Sequence, residues 1–252
     1  MSTIPANLIM ALRHAQSIVF FTGAGMSADS GIPTFRDQGT GFWERFRAED
    51  LATRDAFQRQ PGVVWSWYEW RRMLVERAQP NPGHLAIAQL AAMRPGVRVV
   101  TQNVDDLHER SGCLDVVHLH GSLHAPRCLA CARPYRAPLS DDFAAAESGH
   151  LMPPACSHCG GKVRPGVVWF GEPLPQAAWD VAADLVCEAD MVFVVGTSAQ
   201  VQPAARLPGL ARRAGAKLVQ VNPMRTELDD ACDWNLRGGA ATDLPRLLAG
   251  LP

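Results

Sequence analysis

Short runs of β-branched and aromatic residues punctuate the chain at Ser17 to Phe21, Val97 to Thr101, Val116 to Leu119, Met191 to Val195 and Lys217 to Val221. Unbroken apolar runs of this length fit strands buried on both faces. Between them, apolar residues recur at helical spacing over Pro61 to Arg77, His84 to Met93, Pro175 to Glu188 and Pro203 to Ala214. Strands that alternate with helices predict an α/β fold, a parallel sheet with helices on both faces. Phe42 to Phe57 also looks helical. The stretch from Ser122 to Arg164 breaks the rhythm, because it holds two CxxC pairs, several prolines and no long apolar run. So core-poor a segment predicts a small inserted domain whose order depends on a bound metal.

Composition narrows the function. At 252 residues, 47% hydrophobic and 19% charged, the chain can bury roughly three-quarters of its unfolded surface. Its 21 glycines and 19 prolines fall short of a low-complexity sequence and read as turns and binding loops. A net charge of -1 offers no basic field for a phosphate backbone, so nucleic acid is not an expected partner. The longest apolar runs reach about five residues, far below the ~18 needed to cross a bilayer. No membrane partner is expected either, and with no presequence visible a cytoplasmic location is.

Seven cysteines is an odd number, which suits metal binding in a reducing compartment better than a disulfide framework. Cys128 and Cys131 form one CxxC pair, and Cys156 and Cys159 form a second after a gap of 24 residues. Two such knuckles can close a tetrahedron around one zinc ion. Four protein ligands leave no open position for water, so the expected role is structural. Cys113, Cys187 and Cys232 have no such partners and are expected to be packing residues.

The first strand runs into Thr22, Gly23, Ala24, Gly25, Met26, Ser27 and Ala28, a relaxed form of the glycine fingerprint at which backbone amides approach a pyrophosphate. By itself this fits a packing turn or a hydride-transferring dehydrogenase. The longer segment GAGMSADSGIPTFRD, Gly23 to Asp37, resembles the signature of the sirtuin family of NAD-dependent protein lysine deacylases. Further motifs of that family follow in order: TQNVDDLHERSG from Thr101, HLHGSL from His118, RPGVVWFGE from Arg164, GTSAQVQP from Gly196 and VNP from Val221.

That resemblance covers nearly the whole chain and implies a Rossmann-like NAD-binding domain over residues 1–121 and 165–252. It also implies a zinc-binding small domain over 122–164, with a helical insertion at about 37–80 forming part of the small domain and the acyl pocket. NAD and an acyl-lysine of a protein would meet in the cleft between the domains. Gly23, Ala24, Gly25, Ala28, Ile32, Phe35 and Arg36 match the flexible cofactor loop. Gln102, Asn103 and Asp105 match the QN(I/V)D pattern, Asn103 organising the nicotinamide ribose and Asp105 accepting a hydrogen bond from the nicotinamide amide. Gly196, Thr197, Ser198, Asn222 and Ala240 match positions that hold the adenosine half.

His120, before Gly121, matches the family's HG motif and becomes the general base, an imidazole suited to taking a proton from a ribose hydroxyl. The resemblance implies attack of the acyl oxygen on the ribose carbon, release of nicotinamide, and products that are free lysine and 2'-O-acyl-ADP-ribose. Val168, Phe170 and Glu172 fit a strand that pairs with extended peptide, and equally a buried scaffold strand.

Tyr68 and Arg71 stand three apart on one helix face, beside Val64 and Val75. A guanidinium directed at an apolar region needs an anion, either a protein carboxylate or part of a ligand. The YxxR spacing resembles the sirtuin class that removes acidic acyl groups such as succinyl and malonyl, and Ala48 and Ala52 match its small pocket residues. Arg72 is the competing arginine. Two other functions stay open on the residues alone, a dehydrogenase and a zinc-ribbon nucleic-acid module.

Overall fold

A computed structural model describes residues 4–34 and 41–251 of the chain. The strands among the described residues are β1 (Ile18–Thr22), β2 (Val97–Thr101), β3 (Val117–His118), β4 (Arg127–Cys128), β5 (Val163–Arg164), β6 (Met191–Val195), β7 (Lys217–Val221) and β8 (Trp234–Leu236). The α-helices among the described residues are α1 (Ala6–His14), α2 (Ala48–Leu51), α3 (Arg54–Arg59), α4 (Pro61–Arg77), α5 (Pro82–Met93), α6 (Leu107–Arg110), α7 (Phe143–Glu147), α8 (Gln176–Cys187), α9 (Leu207–Ala214) and α10 (Ala240–Ala249). The chain divides into two compact units, one of residues 1–31, 80–119 and 174–252, the other of residues 32–79 and 120–173.

The first unit is built on a six-stranded sheet in the order β3-β2-β1-β6-β7-β8, and every adjacent pair runs parallel. Side chains alternate across a strand, so β1 sends Ile18 and Phe20 to one face and Val19 and Phe21 to the other. The first face packs against Leu8 and Leu12 of α1, Ile87 and Leu90 of α5, and Leu244 and Leu247 of α10. The second packs against Ala182 and Val186 of α8 and Leu207 and Ala211 of α9. Full burial on both faces explains the unbroken apolar runs, and each such side chain contributes ~1.5–3 kcal/mol. The α/β, doubly covered sheet expected from the sequence is the one observed. Strand β8 and helices α1 and α10 escaped the pattern because their runs are short or interrupted by charge, as Arg13 and Asp243 show.

In the second unit α4 is the main scaffold. Pro61 opens it at the first turn, where the missing N–H costs nothing. The run from Phe42 onward, expected to be one helix, is a short 3-10 turn over Gly41–Arg45 followed by α2 and α3. Ala52, beyond α2, leaves helical geometry, and the Thr53 hydroxyl then caps α3 by accepting from the Ala56 amide.

The rest of this unit gathers around four sulfurs. Antiparallel β4 and β5 pair Cys128 with Val163, and the Sγ atoms of Cys128, Cys131, Cys156 and Cys159 all lie within 4.8 Å of one another. Cys128 is 3.5 Å from Cys159, and Cys131 is 3.8 Å from Cys156. A zinc–sulfur bond of about 2.3 Å makes the edge of a ZnS4 tetrahedron about 3.8 Å, so the set fits zinc. Amides of Cys131 and Ala130 donate to Cys128 Sγ and, with the Cys131 amide foremost, lower that thiol to about 6. The Gly161 amide pulls Cys159 down, but the sulfurs of Cys128 and Cys131 outweigh it and push that thiol up to about 12. Four thiolates this close need a cation between them, which is the chemistry zinc supplies. Outside the cluster, Cys113 is buried as expected, whereas Cys187 is exposed because it ends α8 on its solvent side.

Metal analysis should therefore return one zinc per chain. Cys159 is exposed, so Cys159→Ala carries little packing cost and is the cleanest removal of one ligand. It should release zinc, lower the thermal midpoint and open residues 122–164 to protease. Stoichiometric zinc in both Cys159→Ala and Cys128→Ala would sink the assignment.

Candidate active site

In an open parallel sheet a ligand binds outside the carboxyl ends of the strands, where the chain order reverses. Here that point lies between β1 and β6, since the chain proceeds from β1 to β2 on one side while β6 and β7 extend the other. Two glycine loops leave the sheet there and touch. Gly23 N donates to Val195 O at 2.9 Å and Gly25 N to Gly196 O at 2.8 Å. A Cβ on Gly25 would come within 2.8 Å of Gly196 Cα, and Gly196 itself adopts φ +59 with no room for a side chain. Without Cβ atoms this cradle leaves the close-approach space at the strand ends that a pyrophosphate needs, so the residues present fit the nucleotide that the fingerprint suggests.

The polar residues expected in the first unit surround these loops. Gln102 Nε2 donates to Thr197 Oγ1 at 2.9 Å, and Asn222 Nδ2 donates to Thr197 O at 3.0 Å, which links the ends of β2, β6 and β7. Ser198 is half-buried beside Thr197, and Ala24 and Ala28 begin consecutive 3-10 turns after the glycine. Ala240 is buried as the first residue of α10 and packs over Gly83, whose Cβ would meet its carbonyl at 2.8 Å. Asn103 and Asp105 are both buried and share a residue that the sequence reading did not single out. Ser27 Oγ donates to Asp105 Oδ2 at 2.9 Å and accepts from Asn103 Nδ2 at 3.1 Å. Its signal was its place as the one hydroxyl within the GAGMSA run. Burial raises the Asp105 pKa, opposed by the Leu107 amide and by Ser27. Among the cofactor-loop candidates, Phe35 and Arg36 lie outside the described residues, and Ile32 is buried in the second unit.

His120 also belongs to the second unit. It stands two residues past β3, after Leu119, whose amide donates to Thr101 O at 2.9 Å. Its position is set by the backbone: His120 O accepts from Val168 N at 2.8 Å, and Gly121 bridges antiparallel to Val167. Gly121 has φ +74, and a Cβ there would meet Gly166 O at 2.2 Å. Glycine is therefore required directly after this histidine. Phe170 N donates to Ala52 O at 2.9 Å, while the Phe170 side chain is 47% exposed. Glu172 holds the segment by pairing with Arg164, at 2.5 and 2.8 Å, and by accepting from Trp169 N. Its pKa is lowered because Arg164 and the Trp169 amide together outweigh burial.

On α4, Tyr68 and Arg71 are buried, as are Val64 and Val75. Arg71, with Trp67 and Trp70 of the same helix, lines a small cavity completed by Pro33, Thr34, Trp43, Phe46 and Ala48. Its guanidinium lies 5.3 Å from the Trp67 ring centroid, and Nη2 donates to Pro33 O at 3.3 Å. Tyr68 packs edge-on to Trp67 and, like Ala52, is buried outside the cavity lining. Burial raises the Tyr68 phenol and the Arg71 charge lowers it, burial prevailing, so the hydroxyl keeps its proton as a donor. Arg72 points elsewhere, to Glu69 at 3.0 Å, to Glu76, and to Ser140 O at 2.8 Å. The aromatic walls of this cavity were the part that sequence spacing missed; the density of tryptophan around WSWYEW was its signal.

The end of β2 also weighs against a dehydrogenase. It carries Thr101 and Gln102, where such an enzyme places a carboxylate to read the ribose. No helix among the described residues is long and apolar enough to cross a membrane.

Comparison with known proteins agrees with this geometry. The Sir2 family model matches residues 23–203. An NAD-dependent protein deacylase of Methylococcus capsulatus is 55% identical over 97% of this chain and 96% of its own. NAD-dependent protein deacylase 1 of Pseudomonas aeruginosa is 54% identical over 96% of both chains. Among solved structures, a Sir2 homologue in complex with NAD superposes with a TM-score of 0.90 at 42% identity, covering 98% of this chain and 94% of its own. A Sir2 complex with p53 peptide and NAD+ gives 0.84 at 31% identity, covering 98% of both. With the glycine cradle, the zinc-fitting thiols and nearly full-length likeness together, the chain belongs to the Sir2 family.

Proposed function

We propose that this Sir2-family chain is an NAD-dependent protein lysine deacylase that acts on acidic acyl groups, succinyl and malonyl, as well as on acetyl. NAD is a co-substrate that supplies the ribose carbon on which the acyl group is captured. The glycine cradle of Gly23, Gly25 and Gly196 would take its phosphates, with Thr197, Ser198 and Asn222 beside the adenosine half. Asn103 would orient the nicotinamide ribose, and Asp105 would accept from the nicotinamide amide. His120 would remove a ribose hydroxyl proton, and Val168 to Glu172 would pair with the peptide main chain. With one water consumed, the products would be free lysine, nicotinamide and 2'-O-acyl-ADP-ribose. The expected workplace is the cytoplasm, which seven cysteines without a disulfide support.

The observation that carries the acyl class is Arg71 at the wall of a cavity whose other lining residues, Thr34 apart, are apolar or aromatic. An ionised acceptor forms the stronger kind of hydrogen bond, and a guanidinium can hold both oxygens of a distal carboxylate. Arg72 points to Glu69 and Glu76, whereas Arg71 stands on the cavity wall, which supports Arg71 as the acyl reader.

Two outcomes test this reading. His120→Ala should keep the fold and NAD binding but slow acyl transfer by roughly two orders of magnitude, the usual scale for a positioned base; a variant at wild-type rate would remove His120 from the chemistry. Arg71→Met should lower kcat/KM for a succinyl peptide by about 30-fold, because ~2 kcal/mol corresponds to that factor. It should leave the acetyl form of the same peptide nearly unchanged, with Tyr68→Phe acting in the same direction more weakly. Equal losses on both peptides would make Arg71 structural and end the acidic-acyl assignment.

A further inference from the structure

We propose that His108 is a positioning residue for Asn103, acting through the hydroxyls of Thr22 and Thr101; the inference rests on the reading of Asn103 as the residue that orients the nicotinamide ribose. Thr22 and Thr101 are the last residues of β1 and β2 and are direct neighbours in the parallel register. Both are fully buried. Their hydroxyls meet, Thr22 Oγ1 donating to Thr101 Oγ1 at 2.8 Å. Thr101 Oγ1 in turn accepts the backbone N–H of Asn103 at 3.0 Å. A hydroxyl has one proton, so a Thr22 that gives its proton to Thr101 must accept from its other neighbour. That neighbour is His108 Nε2, 3.0 Å away.

His108 is 1% exposed and His84 is fully buried. Their rings stand edge to face with centroids 4.9 Å apart. His84 Nδ1 accepts the Asn81 backbone N–H, so neutral His84 carries its proton on Nε2. Burial lowers both imidazoles, His84 to about 4 and His108 well below its ordinary value, helped by His84 and His118. The pair is uncharged at neutral pH. Two buried ring nitrogens of this pair, His84 Nε2 and His108 Nδ1, make no hydrogen bond, a cost that packing alone does not explain. Phenylalanine or leucine would fill the same space without it. What the imidazole adds is a donor at the foot of the threonine pair, fixing the direction of a chain that ends on the Asn103 amide. From the other side His118 Nδ1 donates to the Asn103 carbonyl at 3.1 Å, so the peptide groups flanking this residue are held at both ends.

The test compares His108→Phe, which keeps the ring volume, with His108→Gln, whose amide can restore a polar partner near the Nε2 position. Steady-state nicotinamide release is measured in the wild-type and Asn103→Ala backgrounds. Loss of one positioning hydrogen bond of ordinary strength predicts about a tenfold fall in kcat for His108→Phe. KM for the acyl peptide should not change. His108→Gln should regain most of the rate, and in the Asn103→Ala background His108→Phe should change it by less than about twofold. A His108→Gln variant as slow as His108→Phe, or an equal fall in both backgrounds, would overturn the proposal while leaving the Asn103 reading intact. An Asn103→Ala enzyme at wild-type rate would overturn that reading and the proposal with it.

Discussion

The first unit depends on the close approach of two loops at glycines. A Cβ on Gly25 would collide with the Gly196 backbone, and one on Gly23 with the Thr197 Cβ at 2.7 Å. The contact exists because β1 and β6 are adjacent and in register, Thr22 beside Val195, so both loops leave the sheet at the same level. From there the polar residues follow by backbone connection. Gln102 is the residue after β2, and its amide donates to Thr22 O at 2.9 Å. Asn222 is the residue after β7, and its amide donates to Leu236 O of β8 at 3.0 Å. A sheet buried on both faces fixes this rim, and hydrogen bonds within it set the positions of Gln102, Thr197 and Asn222 around the Cβ-free space between the loops.

The second unit solves a different problem. It has the tryptophan-rich α4 but little regular structure beyond it, and Arg164 shows how the gap is filled. That guanidinium is almost wholly buried, 3.5 Å from the Trp169 ring centroid, and pairs with Glu172 while also donating to Val167 O at 2.9 Å. Buried charge is costly unless every donor is used, and here one arginine ties β5 to the segment that carries Val168 and Phe170. Arg72 does the same between α4 and the loop at Ser140. The zinc-fitting thiols close the remaining loops, and their geometry is local enough to form from two tight knuckles.

Much of this was legible in the chain. Strands buried on both faces announce themselves as apolar runs, and β2, β6 and β7 match their sequence bounds residue for residue. Both CxxC knuckles and the glycine run are likewise local patterns. Less local features were hidden. Ser27 gains its meaning only when Asn103 and Asp105, more than seventy residues away, fold beside it. The aromatic walls around Arg71 come from separate stretches of chain, Trp43 and Phe46 among them. Cys187 illustrates the limit of residue type as a guide, since composition favours burial and its place on α8 decides otherwise. Between Arg71 and Arg72 the spacing left a choice, and only the folded chain shows that Arg71 lines the cavity while Arg72 pairs with Glu69 and Glu76 one turn along the helix.

On the proposed reading the acyl group leaves lysine by transfer to the ribose of NAD, and an acidic acyl chain is among its cargoes. Mass analysis of the products formed by the zinc-loaded wild-type protein from NAD and a succinyl-lysyl peptide tests it most directly. The account predicts free lysyl peptide, nicotinamide and O-succinyl-ADP-ribose in equal amounts. Free succinate released with NAD untouched, or a succinyl peptide left intact, would contradict it.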